Sequence, residues 1–197
     1  YCLFRDGPVT GKTVLVQGGA GGVGFYGVQL AKWGGARKVI ATVSRDEQAA
    51  KARAAGADAI VDYRQPDAIE QVRGAAGGPA AVDHIVEVNF GANVAMDSAV
   101  IARNGVIASY GSDSDPEPKF PYWSFTQKDA TLRSALIYEA QQSSRDHAAR
   151  DINAMLQEGH LKHQVAARFP LDRIVEAHEA MESGKTIGKL LVDVAAF

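Results

Sequence analysis

The chain has 197 residues, 46% of them hydrophobic and 22% charged, with a formal net charge of −2. That composition suits one well-buried globular domain with an appended arm, and the absence of any basic block excludes nucleic acid as the main partner. The longest apolar runs, ADAIV and KLLVDVAAF, fall far short of the ~18 residues of a membrane span, while a single cysteine, Cys2, excludes an internal disulfide and fits a reducing, cytoplasmic compartment.

The chain opens on Tyr1 without a methionine and shows no secretory segment, so it reads as a fragment or excised domain. From Thr13 onward short β-branched runs alternate with longer helical stretches, the pattern of βαβ units on a parallel sheet. The first strand is expected at TVLVQG (13–18). A helix follows, in which Val23, Tyr26, Gly27, Leu30 and Ala31 recur at the spacing of one helical face. Further strands are expected at KVIATV (38–43), AIVDY (59–63), HIVEV (84–88), GVIASYG (105–111) and LRSALIY (132–138). Most are continuous apolar runs, as strands buried on both faces are.

After the second strand, SRDE (44–47) reads as a capping box in which Glu47 reaches back to Ser44. Residues 112–123, with three prolines, form a long irregular loop of the kind that is usually functional or mobile. A helix is expected over 144–158 with Ala148, Ile152, Met155 and Leu156 on one side and Gly159 as its stop. The chain then divides: residues 1–161 form a doubly wound, Rossmann-type α/β domain on a six-stranded parallel sheet. Residues 162–197 form a C-terminal strand-helix-strand arm, its helix ended by Gly184.

Gly19-Ala20-Gly21-Gly22-Val23-Gly24 satisfies G-x-G-x-x-G between the first strand and the first helix. The first glycine permits a tight turn, the second lets backbone approach a pyrophosphate, and the third lets the helix pack on the strand. The pyrophosphate would then rest on unpaired amides at the positive end of the helix dipole. GKT at 11–13 is not a Walker loop, because it precedes the strand and its lysine cannot reach phosphates.

The acidic residue that binds a ribose 2′-hydroxyl would stand about 20 residues beyond the glycines, at the end of the second strand. The chain offers Ser44 and Arg45 there. A small hydroxyl and a cation suit a 2′-phosphate, which favours NADP over NAD; Asp46 is the competing candidate but falls in the first turn of a helix, where a carboxylate has an ordinary dipole role. Tyr63 and Arg64 at the end of the third strand offer an adenine-stacking ring and positive charge, or simply a solvated pair.

The residues VLVQGGAGGVG, ATVSRDEQAAKARAAGADAIVDYR, AVDHIVEV, NGVIASYGS and FPLDRIVEAHEAMESGKTIGKLLV, in that order, resemble the quinone reductase branch of the medium-chain dehydrogenase/reductases, the zeta-crystallin-like, zinc-free group. The resemblance covers nearly the whole chain. It implies an N-terminal catalytic domain ahead of the nucleotide-binding domain, an arm that returns to it, and a homodimer. It also implies NADPH contacts at Ala20, Gly21, Gly22 and Val23 for the pyrophosphate, Ser44 for the 2′-phosphate and Tyr63 for the adenosine. Asn93, then Tyr110, Gly111, Ser112 and Asp113, and then Leu136, Ile137 and Tyr138 lie toward the nicotinamide in that family. Relatives often carry glycine or alanine where this chain has Tyr110. Asn93 also fits a helix cap, and Tyr138 plain packing.

No side chain of the sequence is compelled as a catalytic base. The five histidines are scattered, His178 fits helix packing, and His160 and His163 lack the cysteines or carboxylates of a metal site. Trp33 and Trp123 read as packing residues. Hydride chemistry belongs to the cofactor, so the expected activity is NADPH-dependent reduction of a quinone. An enoyl or enone reductase of the same superfamily is the alternative. A non-enzymatic nucleotide-binding module, structural or RNA-binding, is the alternative of a different class. The acceptor pocket would lie between this domain and the N-terminal one, so the chain alone is expected to bind nucleotide and turn over poorly. The last strand, LRSALIY, would lie at a sheet edge open to self-association.

Overall fold

A computed structural model describes residues 1–194; the final residues of the arm expected over 162–197 lie outside that range. Six parallel strands form the main sheet: β1 (Thr13–Val16), β2 (Lys38–Val43), β3 (Ala59–Asp62), β4 (Val82–Glu87), β5 (Ile101–Ser109) and β6 (Thr131–Ser134). Their order is β3-β2-β1-β4-β5-β6, all pairs being parallel. The chain therefore winds outward from β1 in one direction and then from β4 in the other. This is the doubly wound Rossmann order, whose crevice opens beyond the carboxyl ends of β1 and β4.

Alternation along the strands builds two cores. Val14, Val16, Val39 and Ala41 face α1 (Gly24–Trp33) and α2 (Asp46–Ala54), burying Phe25, Val28, Ala31, Ala49 and Ala52. Leu15, Ile40 and Ile85 face the opposite layer of α3 (Ala68–Ala76), α4 (Phe90–Val100) and the short α5 (Tyr122–Thr126), with Val72, Met96 and Phe125 buried among them. Between fully covered faces there is no polar side to the central strands.

Beyond the sheet, α6 (Gln142–Gln157) precedes β7 (Val165–Pro170), α7 (Ile174–Glu182) and β8 (Lys189–Asp193). β7 and β8 pair in parallel as a separate two-stranded sheet, the strand-helix-strand arm expected from the sequence. Gly159 and Gly184 follow their helices with φ of +71° and +64°, left-handed stops that suit glycine. The arm is fastened to α1: Gln29, buried in that helix, accepts from the Lys162 amide at 2.8 Å and donates to the Lys162 carbonyl at 3.2 Å. Among the described residues no helix is long and apolar enough to cross a membrane.

Several local expectations are corrected. β6 stops at Ser134, and residues 137–139 form a short 3-10 turn, so Leu136, Ile137 and Tyr138 lie past the strand rather than in it. The apolar run misled because these side chains are exposed, Tyr138 by 80%. Of the face expected for α1, Gly27 and Ala31 are buried, Tyr26 and Leu30 only half-buried and Val23 exposed, while Phe25 and Val28 are buried as well; the helix is apolar on nearly every side, so periodicity located only part of the buried flank. The 44–47 capping box is displaced by one residue. The helix starts at Asp46 after Arg45, and Gln48, not Glu47, accepts from the Ser44 amide at 2.8 Å and hydroxyl at 3.0 Å. Trp33 packs edge-on against Phe4 as expected, but Trp123 is 71% exposed beside Tyr122.

Candidate nucleotide-binding site

The glycine turn fills the gap between β1 and α1, and each glycine has a distinct physical reason. Gly18, just ahead of the signature, takes the left-handed conformation with φ +67°, so the tight turn falls there and not at Gly19. A Cβ on Gly19 would lie 2.5 Å from the Ala41 Cβ, and one on Gly24 would lie 2.2 Å from the Gly18 carbonyl oxygen. Any side chain at either position would force the strand, turn and helix apart. Gly21 and Gly22 are exposed on the outer side of the turn, where a ligand's backbone approach would be made.

Backbone bonds within the turn are few. The Gly18 amide donates to Thr42 Oγ1, Gly19 to the Thr42 carbonyl and Gly21 to the Gly18 carbonyl. The amides of Ala20, Gly22, Val23 and Gly24 donate to no acceptor among the described residues. α1 opens with no side-chain cap and no acidic residue in its first turn. Unpaired donors at the positive end of a ten-residue helix form an anion-binding end that the protein itself leaves open.

Under the turn runs a buried polar chain that sequence reasoning missed. Thr42 Oγ1 donates to Gln17 Oε1 at 2.8 Å, and Gln17 Nε2 donates to Asp97 Oδ1 at 3.1 Å. The Asp97 carboxyl lies against the Glu87 carboxyl. Glu87 Oε1 accepts from the Asn89 amide and, at 2.9 Å, from Asn93 Nδ2. Gln17, Thr42, Glu87 and Asp97 are all essentially inaccessible. Burial pushes both carboxyls above the usual carboxylate range, and for Asp97 the neighbouring Glu87 charge adds to it. The available signal was a polar residue closing an apolar run, in VLVQ and in HIVE.

The chain continues upward. Asn89 Oδ1 accepts from the Ser114 hydroxyl at 2.8 Å, and Ser112 Oγ accepts from the Gly91 amide at 2.9 Å. Gly111 is a glycine because a Cβ there would sit 2.4 Å from the Val88 carbonyl oxygen. Asn93 lies inside α4, behind the Asn89 cap position, so it is not the cap. Asp113 is exposed. Tyr110 donates its amide to the Glu87 carbonyl, and burial pushes its phenol up.

An apolar cavity of about 490 Å³ joins the turn to the end of β6. Gly22, Val23 and Tyr26 form one wall, and Tyr110, Leu136 and Ile137 another. The structure thus brings together residues that the sequence assigned to the pyrophosphate and to the nicotinamide end of one ligand. Tyr138 is not among the lining residues.

At the far side, Ser44 and Tyr63 stand at neighbouring strand ends, the Tyr63 amide donating to the Val43 carbonyl at 3.1 Å. Arg45 is exposed. Arg64 is turned back onto Asp62 at 2.9 Å, which holds the Asp62 carboxyl well below its ordinary range; the positive charge expected from Arg64 is already paired.

The histidines fall away from this site. His84 is buried within β4 with Nε2 2.8 Å from the Cys2 carbonyl, and burial lowers its pKa to about 4. His163 Nδ1 lies 3.1 Å from the Tyr26 hydroxyl, a hydrogen bond between the arm and α1. Among the described residues no three His, Cys, Asp or Glu side chains are grouped as metal ligands.

Known proteins resemble this chain in sequence and in fold. Human quinone oxidoreductase is 25% identical over 183 residues, covering 92% of this chain and 54% of its own length. The chain spans about half the length of the curated relatives it matches. A crystal structure of 2-haloacrylate reductase superposes with a TM-score of 0.85 at 28% identity, covering 98% of this chain and 61% of that one. A mycobacterial protein solved in complex with NADPH gives a TM-score of 0.75 at 29% identity, covering 93% and 58%. Residues 55–192 match the family model described as zinc-binding dehydrogenase. The chain belongs to that zinc-binding dehydrogenase family, within the quinone oxidoreductase branch of the medium-chain dehydrogenases/reductases.

Proposed function

We propose that this chain is the nucleotide-binding portion of an NADPH-dependent oxidoreductase that transfers hydride to a quinone. The observation that carries the reading is the set of unpaired amides at Ala20, Gly22, Val23 and Gly24, set at the strand-order reversal. They fit a diphosphate, and the one side chain that approaches Gly22 from elsewhere in the described residues is the cationic Lys189.

A bound nicotinamide dinucleotide supplies the hydride; the protein's own residues bind, orient and exclude water. Ala20, Gly21, Gly22 and Val23 would hold the diphosphate. Tyr63 would hold the adenosine end, with Ser44 and Arg45 at the 2′-phosphate. Asn93, Tyr110, Gly111, Ser112 and Asp113, with Leu136, Ile137 and Tyr138, would flank the nicotinamide end. The apolar wall of Val23, Tyr110, Leu136 and Ile137 would shield the reacting region from water once a ligand covers it. No side chain of this chain is assigned to proton transfer, and the activity needs no zinc on this reading. The N-terminal catalytic domain, a homodimer with β6 at the exposed sheet edge, and a cytoplasmic location complete the proposal.

Reduction of an activated alkene is the second reading, favoured by the likeness to 2-haloacrylate reductase over 98% of the chain. Oxidation of NADPH by the full-length protein, offered a naphthoquinone and a cyclohexenone in parallel, separates the two. Faster turnover of the quinone supports the first reading. Turnover of the enone alone supports the second, and nucleotide binding without turnover of either opposes both.

A further inference from the structure

Lys189, the first residue of β8, reaches from the C-terminal arm onto the glycine turn. A Cβ built on Gly22 would lie 2.9 Å from Lys189 Nζ and 3.7 Å from its Cε, so the ammonium rests against the outer face of the turn. It forms no ion pair and donates to no acceptor among the described residues. Its surroundings make that placement costly. It stands beside the opening of α1, whose first turn carries no acidic residue and whose leading amides are unpaired. A cation at the positive end of a helix is repelled by the dipole, so this arrangement lacks its counter-charge.

The backbone leading to Lys189 is tightly held. The Lys189 amide donates to the Gln164 carbonyl at 2.7 Å, and Gln164 Nε2 donates to the Ile187 carbonyl at 3.1 Å. Gly188 adopts φ +120°, and a Cβ there would fall 2.8 Å from the same Gln164 carbonyl oxygen. Ile187 packs against the core beneath α1, and Gln29 ties the arm's first residue to that helix. Lys189 therefore sits on an anchored strand, aimed at the turn.

We infer that Lys189 is a diphosphate-binding residue, closing the nucleotide site from the C-terminal arm opposite the amides of Gly22 and Val23. The inference rests on the nucleotide-site reading and adds one specific contact to it. A diphosphate between the ammonium and the helix end supplies the negative charge that both lack, through charge-assisted hydrogen bonds. It also gives the arm a role in this domain's own ligand binding.

The test is fluorescence titration of the chain with NADPH and NADH, before and after Lys189→Gln, with inorganic pyrophosphate as competitor and thermal melts as the folding control. The inference predicts that Lys189→Gln weakens both nucleotides by a common factor of about ten, weakens pyrophosphate competition, and leaves the melt of the ligand-free chain undiminished or slightly raised. Lys189→Arg should restore most of the affinity. Unchanged affinity in Lys189→Gln overturns the inference while leaving the nucleotide site standing. Loss confined to NADPH overturns it too, because it would place the ammonium at the 2′-phosphate. Failure of the folded, unsubstituted chain to bind either nucleotide defeats the site reading itself, and this inference with it.

Discussion

Glu87 at the end of β4 and Asp97 within α4 meet as a pair of neighbouring buried carboxyls. Glu87 Oε2 and Asp97 Oδ2 are buried without a hydrogen-bond partner, and a proton held between the two carboxyls would satisfy both. Two buried carboxylates facing one another could not both ionise without a large cost. The pair joins the polar chain under the glycine turn to the Asn89 and Asn93 amides, making it the strut between the two ends of the site.

Raised carboxyl pKa values make stability a function of pH with a defined sign. The contribution is fully present below the ordinary carboxylate range, near pH 4, and is lost as pH rises through the raised folded-state values. Asp97→Asn keeps an acceptor for Gln17 and gives Glu87 a permanent donor. Urea midpoints should fall as pH rises above the ordinary carboxylate range in the unsubstituted chain and be flatter in Asp97→Asn. Asp97→Leu, which leaves Glu87 buried without that partner, should cost about 3 kcal/mol.

His84 runs the other way. Its pKa, lowered to about 4 by burial, makes a contribution that is present above its unfolded value near 6.5 and lost as pH falls through about 4. His84→Leu forfeits the bond to the Cys2 carbonyl but has nothing to titrate. Denaturation curves should show the stability gap between the unsubstituted chain and this variant narrowing as acid is added. A constant gap would contradict a buried, neutral imidazole.

Two glycines of the turn should respond differently to alanine. At Gly24 the new Cβ would lie 2.2 Å from a backbone oxygen and 2.9 Å from the Gly19 Cα, atoms that cannot swing aside. Gly24→Ala should destabilise by about 3 kcal/mol and abolish nucleotide binding. At Gly21 the nearest atom is 3.2 Å away and the position is exposed. Gly21→Ala should melt near the parent temperature yet bind NADPH about ten-fold more weakly, because the methyl group occupies the ligand's approach.

Arg45→Asp places a carboxylate at the end of β2 in place of an exposed cation. NADPH affinity should drop by about ten-fold and NADH affinity should hold or rise, read by nicotinamide fluorescence. Tighter NADH binding by the unsubstituted chain would contradict the assignment of Ser44 and Arg45 to a 2′-phosphate.

The doubly wound sheet was legible because its central strands are apolar runs separated by helical stretches. The turn was legible because Gly19, Gly21 and Gly24 keep the spacing that close strand–helix packing and a diphosphate both require. Three features escaped for physical reasons. Gly18 is one residue ahead of the signature, and only the backbone shows which glycine carries the positive φ. The Glu87–Asp97 pair joins residues ten apart that look like an ordinary strand end and helix side chain. Lys189 lies far along the chain from Gly22, a separation no local pattern bridges. The exposed run after β6 misled because hydrophobicity reports burial only when something covers it.

The central claim is that the backbone amides of the glycine turn grip a diphosphate. Amide correlation spectra of the chain, recorded as NADPH is added, test it most directly. The largest shifts are predicted at Ala20, Gly22, Val23 and Gly24, and inorganic pyrophosphate should move the same four. Saturable binding that leaves these four signals in place would contradict the account.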